Sequence, residues 1–294
     1  MCFSSFKVAS KLQSLTDYAN YLYLIFTTVC SLHYSNFAIM RITFLGTGTS
    51  QGVPVIGCTC QVCLSSDPRD NRLRTSAMVE VDGQTIIIDT GPDFRQQMLR
   101  HTPVSMPKVI FTHEHKDHIA GLDDIRAFNF KYNQPLEIYA TDSVQEALQR
   151  EYHYVFAAQK YPGVPQVNLH TISGSEPFEI EGVRIIPIQL LHYKMPVLGF
   201  RIKNFAYVTD ANYISSEEKI KLRDLDVLVL NALRKKEHIS HFNLREAVNM
   251  VKELKPRKAY FTHISHLMGN HAEVQADLPE NIFLASDGLT LDLE

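Results

Sequence analysis

The chain has 294 residues, of which 45% are hydrophobic and 21% charged, and a formal net charge of −3. That length can bury a large core and fits one large domain. The near-neutral balance excludes a general attraction to nucleic acid or to an anionic membrane surface, so an RNA substrate would need a local basic patch.

Residues 1–39 differ in character from the rest of the chain. The run YLYLIFTTVC at 21–30 is apolar, but shorter than the about 20 residues a membrane span needs. Asp17 and Asn20 precede it and no small-residue cleavage site comes after it, which suits a signal peptide poorly, and Val29 suits lipid attachment at Cys30 no better. Residues 1–39 therefore read as an N-terminal extension outside the fold or the product of an early-placed start, with a signal or anchor as the alternative. Residues 40–294 read as the domain.

From Met40 the β-branched runs RITFLG (41–46), SAMVEV (76–81), QTIIID (84–89) and KVIFT (108–112) predict buried strands. Helices are expected near 93–100 and 119–130. Further strands are expected near 136–140, 183–189, 197–202, 204–209, 226–230 and 258–262, with helices near 142–158, 216–223 and 243–254. In the last of these Leu244, Ala247, Val248, Val251 and Leu254 form one stripe. This order suggests two sheets packed face to face with helices outside. The glycine stretch GTGTSQG (46–52) is not a nucleotide loop: Gln51 stands where a dinucleotide fingerprint needs glycine, and no Gly-Lys-Ser/Thr ending is present. A tight turn that lets backbone approach a site is the better reading.

The chemistry concentrates in THEHKDH at 112–118, directly after a predicted strand. His113 and His115, two apart, can point the same way, while Asp117 and His118 can face back after the chain turns. Such a set suits two adjacent divalent ions, with imidazole accepting Zn, Mn or Fe and the carboxylate adding a charged oxygen. Two ions need further ligands. His192 after RIIPIQLL, Asp210 ending FAYVTD and His263 after KAYFT each stand at a predicted strand end. Any one alone is more often structural than a ligand, Asp210 as a turn cap for example; together with the first cluster they favour ligation.

Three of the five cysteines, Cys58, Cys60 and Cys63, fall within six residues as C-x-C-x-x-C, a metal-site pattern of a reducing compartment, which points to the cytoplasm. Three thiolates leave tetrahedral zinc one ligand short, and His266 in THISH is the expected fourth. A redox cluster or small core residues are the alternatives. Arg69, Arg72 and Arg74 near this loop suit phosphate or carboxylate, or equally form a solvated loop face.

From Met40 onward the chain resembles the metallo-β-lactamase superfamily of binuclear metallohydrolases, on the HEHKDH string and the later His192, Asp210 and His263. The resemblance implies an αββα four-layer sandwich of α/β class. It also implies a first divalent metal ion (Zn or Mn) on His113, His115, His192 and Asp210, and a second on Asp117, His118, His263 and Asp210, with Asp210 bridging. The DTG turn at 89–91 resembles the superfamily's Asp-x-Gly, which makes Asp89 an orienting residue behind the ligands. His241 in EHISHFNL is placed by the resemblance as the proton donor to the leaving group, ahead of His238. Asp117 joins it in the catalytic set. With the cysteine cluster and HISH, the chain is similar to the cyclic-phosphate phosphodiesterases of the carbon–phosphorus lyase pathway; related cysteines occur in the accessory proteins of pyrroloquinoline quinone synthesis.

The expected function is a phosphodiesterase acting on a small or cyclic phosphodiester through a metal-bridging hydroxide. It would carry two catalytic ions and one structural Zn, and would need no membrane and no nucleic acid; a homodimer is compatible with the sequence. The alternatives are ribonuclease Z-like RNA processing, which lacks its basic arm here, a non-hydrolytic accessory role, and thiolester or lactone hydrolysis.

Overall fold

Along 84–88 the side chains alternate between two cores. Ile86 and Ile88 join one buried cluster with Ile42, Phe44 and Val79, while Ile87 turns to another with Phe94, Ile125 and Leu148. Period-2 alternation with both faces apolar is what a strand covered on both sides requires. The computed structural model describes residues 39–294; the expectations for the preceding residues, Cys2 and Cys30 included, lie outside the described residues. Met40–Leu293 form one compact unit.

The first half supplies β1 (Met40–Gly46), β2 (Ser76–Val81), β3 (Gln84–Ile88), β4 (Pro107–Ile110), β5 (Leu136–Ala140) and β6 (Val167–Thr171). The second supplies β7 (Phe178–Ile180), β8 (Val183–His192), β9 (Met195–Ile202), β10 (Phe205–Val208), β11 (Tyr213–Ile214), β12 (Val227–Asn231), β13 (Lys258–Thr262), β14 (Ile282–Leu284) and β15 (Thr290–Leu293). One sheet runs β15-β1-β2-β3-β4-β5-β6, the other β11-β8-β9-β10-β12-β13-β14 with β7 on β8. β15 returns from the second half to pair antiparallel with β1.

The central cluster lies between the sheets, joining the inner faces of β1–β3 to Phe200, Ile202, Tyr207 and Val229. The outer face of the first sheet is covered by helices carrying Phe94, Ile125, Phe128 and Leu148. That of the second is covered by Leu222, Ala247, Val251 and Leu254. Three cores separating four layers make the expected αββα sandwich.

Local chemistry sets the helix boundaries. Leu244–Leu254 begins at Asn243, whose side chain accepts from the Glu246 N–H while Glu246 reaches back to the Asn243 N–H, a reciprocal cap. The helix expected at 119–130 is broken into Lys116–Ile119, a 3-10 turn Leu122–Ile125, and Arg126–Tyr132. The break comes at Gly121, where a Cβ would stand 2.1 Å from the Gly91 carbonyl oxygen. The helix expected at 142–158 divides at Tyr152 into Asp142–Glu151 and His153–Phe156. The expectation for 183–189 is too short, since β8 runs on to His192.

Candidate metal centre

β3, β4 and β5 run parallel, as do β10, β12 and β13. Residues just past their carboxyl ends therefore emerge on the same edge, where open α/β sheets keep their sites. Asp89 follows β3, His113 and His115 follow β4, Asp210 follows β10 and His263 follows β13, while His192 ends β8. Asp117 and His118 lie in the single turn Lys116–Ile119. Asp89, Asp210 and His263 have φ of 65°, 53° and 57°. Left-handed backbone at a residue other than glycine costs of order 1–3 kcal/mol, and such strain clusters at functional sites. Here it turns three strand ends sharply toward one point.

The side chains converge. Ligand atoms of Asp117, His118, Asp210 and His263 lie within 4.8 Å of one another, as do those of His113, His115 and Asp210, and those of His192, Asp210 and His241. Asp210 belongs to every group. Its Oδ1 stands 3.2 Å from His263 Nε2 and 3.5 Å from His118 Nε2, and its Oδ2 stands 3.8 Å from His113 Nε2. Asp117 Oδ2 is 3.3 Å from His118 Nε2 and 3.5 Å from His263 Nε2. His192 groups with Asp210 and His241 rather than in one tight set with His113 and His115, though its ring centroid lies 5.0 Å from that of His115.

Two features test whether these residues fit metal ions. Atoms bound to one tetrahedral ion at about 2.1 Å stand about 3.4 Å apart, and the separations above, 3.2–3.8 Å, bracket that value. In addition, His113 Nε2, His118 Nε2 and both ring nitrogens of His263 are buried without a hydrogen-bond partner. Buried polar atoms are rarely left so. The donor set fits divalent cations.

Asp89 sets the tautomers. His118 Nδ1–H donates to Asp89 Oδ2 at 2.7 Å. The Thr112 hydroxyl donates to the same oxygen at 2.8 Å, so it accepts from His113 Nδ1–H at 2.9 Å. Oδ1 takes the Thr112 N–H at 2.8 Å. One buried carboxylate thereby turns the Nε2 lone pairs of two imidazoles into the site, the orienting arrangement common behind ligating histidines. His192 Nδ1–H donates to the Ser240 carbonyl at 2.8 Å in the same way. Neither Thr112 nor Ser240 carries a sequence signal.

The buried charges of the cluster act strongly on one another. Burial drives His113 well below the usual imidazole range, and neighbouring His118 adds to it. Burial opposes charge on His118, yet Asp210, Asp117 and Asp89 hold its pKa well above that range. Asp210, which burial alone would raise, is held well below the usual carboxylate range by His263 and His118. The ring of His241 lies 4.5 Å from His192 and 4.8 Å from His263 between centroids, and burial followed by His263 lowers its pKa to about 3. His238 lies farther out, 5.2 Å from His241, its Nδ1 facing the Ser240 hydroxyl at 3.2 Å.

Some way from this centre, the Sγ atoms of Cys58, Cys60 and Cys63 stand 3.3, 3.4 and 3.5 Å from His266 Nδ1. Three sulfurs and a nitrogen around tetrahedral zinc would be about 3.6 Å apart. The Cys63 N–H, 3.5 Å from Cys60 Sγ, lowers the Cys60 thiol to about 6, and burial pushes Cys63 up to about 11.

Fold and site together define a class of metal-binding αββα sandwiches made up mostly of hydrolases. The match of residues 84–264 to the beta-lactamase superfamily domain makes the assignment specific: the chain belongs to that superfamily. It is similar to the solved structure of a new diphosphatase from the PhnP family, with 41% identity, a TM-score of 0.81, and coverage of 87% of this chain and 97% of that one. An octanoyltransferase of Porphyromonas gingivalis is 38% identical over 252 residues, 85% of this chain and 51% of that protein. Coenzyme PQQ synthesis protein B of Bradyrhizobium diazoefficiens is 31% identical over 177 residues, 54% of this chain and 53% of that protein. The matched regions span about half the length of these curated relatives. Among the described residues, no helix is long and apolar enough to cross a membrane.

Proposed function

We propose that the protein is a binuclear metal-dependent phosphodiesterase acting on a small or cyclic phosphodiester. The observation that carries this reading is the pose of Asp210: one carboxylate oxygen faces His118 and His263, the other faces His113. A carboxylate so placed can hold two cations through separate oxygens. His113, His115 and His192 would complete the first site, Asp117, His118 and His263 the second. Two such cations, when bound, supply Lewis acidity at the phosphoryl oxygens and activate water for attack.

The chain's own residues do the rest. Asp89 keeps the His113 and His118 lone pairs directed inward, and the Ser240 carbonyl does so for His192. His241, neutral in its buried setting, stands over His192 and His263, where an arriving phosphate anion favours its protonated form and a leaving alkoxide can take that proton. Cys58, Cys60, Cys63 and His266 would hold a structural zinc, which when bound would tie the loop after β1 to the turn after β13. The PhnP-family relative is described as a diphosphatase, so diphosphate esters belong in the substrate panel.

The test is turnover by metal-loaded protein of bis(4-nitrophenyl) phosphate, 2′,3′-cyclic nucleotides and a diphosphate diester. At least one should be hydrolysed, and Asp210→Ala should lose activity and bound metal together. No turnover by fully loaded protein, or activity retained by Asp210→Ala at native metal content, refutes the reading.

A further inference from the structure

His241 stands among the metal donors without belonging to the ligand set that completes either ion. It is only 7% exposed, and its Nδ1 is buried without a hydrogen-bond partner. A buried polar nitrogen in that state calls for a partner, and an ion can be one.

The distances favour an ion. One ligand atom from each of His192, Asp210 and His241 lies within 4.8 Å of the others, the same span that groups His115 with His113 and Asp210. His192 falls outside that second group. Between ring centroids, His192 is 4.5 Å from His241, 5.0 Å from His115 and 5.8 Å from His113. By the measure that admits His115, His241 is as well placed to share an ion with Asp210, and its ring is the nearest of these to His192.

The main chain on both sides of His241 is fastened to these two co-ligands. The Ser240 carbonyl accepts from His192 Nδ1–H at 2.8 Å. The Phe242 N–H donates at 2.8 Å to the carbonyl of Ala211, the residue after Asp210, and the Phe242 carbonyl accepts from the Leu233 N–H, just past β12, at 3.0 Å. The segment can leave the His192–Asp210 pair only by breaking these bonds. Main chain, rather than a bond to Nδ1, therefore sets the place of the ring. His238 is differently engaged, its Nδ1 facing the Ser240 N–H at 3.3 Å and hydroxyl at 3.2 Å.

We propose that His241 is itself a ligand of the divalent ion shared by His192 and Asp210 in the substrate-free protein, and gives up that place when a phosphate group arrives. This rests on the binuclear reading above and adds a protein donor to the His113, His115, His192 and Asp210 side. Imidazole suits zinc and its first-row neighbours, and a catalytic zinc can expand from four donors to five. The added donor fills a position that a substrate oxygen would use, so phosphate binding and release of the ring are coupled. Once released, the ring lies beside the phosphate, within reach of the leaving group.

The test loads the catalytic pair with Co(II), keeping zinc on the cysteines, in wild type, His241→Ala and His241→Phe, which keeps a ring but no donor. Retained cysteine-site zinc reports that each variant is folded. Competition with a chromophoric chelator should show one Co(II) held about 10- to 100-fold more weakly in both variants. The visible Co(II) absorption of wild type should differ from that of His241→Phe, and saturating inorganic phosphate should bring the two spectra together. A ring that merely packs would leave the cobalt absorption alone. Wild-type affinity and absorption in His241→Phe overturn the proposal, and a spectral difference that persists under phosphate overturns the release. No turnover enters these measurements, so they are decided separately from the phosphodiesterase reading. If the protein holds only one such ion, the binuclear reading falls, and the same comparison on that ion still decides the role of His241.

Discussion

Replacing Asp89 by Asn keeps shape and volume while changing one acceptor oxygen to a donor. Asp89 accepts from the Thr112 N–H and hydroxyl at 2.8 Å each and from His118 Nδ1–H at 2.7 Å. If the new amide NH2 faces the Thr112 N–H, a buried backbone donor loses its partner. If it faces His118, that ring must accept at Nδ1 and carry its proton on Nε2, the atom pointing at Asp210 and Asp117. A protonated Nε2 cannot ligate. A buried donor left unsatisfied costs about 1–3 kcal/mol, which agrees with the roughly 10- to 100-fold weakening found on removing partners behind metal ligands. Competition with a chromophoric chelator should show that loss for one or both catalytic ions, while the Cys58–His266 site stays filled. Wild-type affinity in Asp89→Asn would show that the carboxylate does not set the tautomers.

Cys60→Ser should remove one equivalent of zinc by elemental analysis and lower the melting temperature, since structural zinc contributes on the order of 10 kcal/mol in small motifs at neutral pH; an unchanged zinc count refutes the four-ligand site. Gly91→Ala places a methyl 2.2 Å from the Asp117 carbonyl, so it should destabilise by about 1–3 kcal/mol and weaken metal binding, and a variant matching wild type in both would show that the turn yields freely. His271 has its pKa lowered to about 4 by burial, with Arg72 next in effect. The folded state resists its protonation, so stability present above the unfolded value near 6.5 is lost as pH falls toward 4, by up to about 3 kcal/mol. Asp287, raised to about 6 by burial, acts with the opposite sign, contributing below about 4 and fading as pH rises to 6. The measurement is therefore the urea stability of wild type minus that of His271→Gln from pH 7 to 4.5; a pH-independent difference contradicts the assignment.

Much of the frame was legible because the signals are local. β-branched runs bounded by turns place β2, β12 and β13 almost to the residue. The apolar stripe marks the helix Leu244–Leu254, and the structure adds the Asn243 cap that sets its start. The short edge strands β11 and β15 carry no local signal because pairing partners well removed along the chain, not propensity, make them strands, and β7 is a three-residue strand held only by its hairpin to β8. The breaks at Gly121 and Tyr152 depend on what packs beside them.

The metal donors could be picked out because ligation demands particular residue types, and a strand end followed by His or Asp is visible in one dimension. The spacing of Cys58, Cys60 and Cys63 is likewise a property of a single loop. What those donors share is not local. The two faces of Asp210 and the single carboxylate of Asp89 serving two imidazoles arise only when segments as distant as 89, 118, 210 and 263 meet. Distance and direction between side chains follow from packing, and there the tertiary structure alone decides.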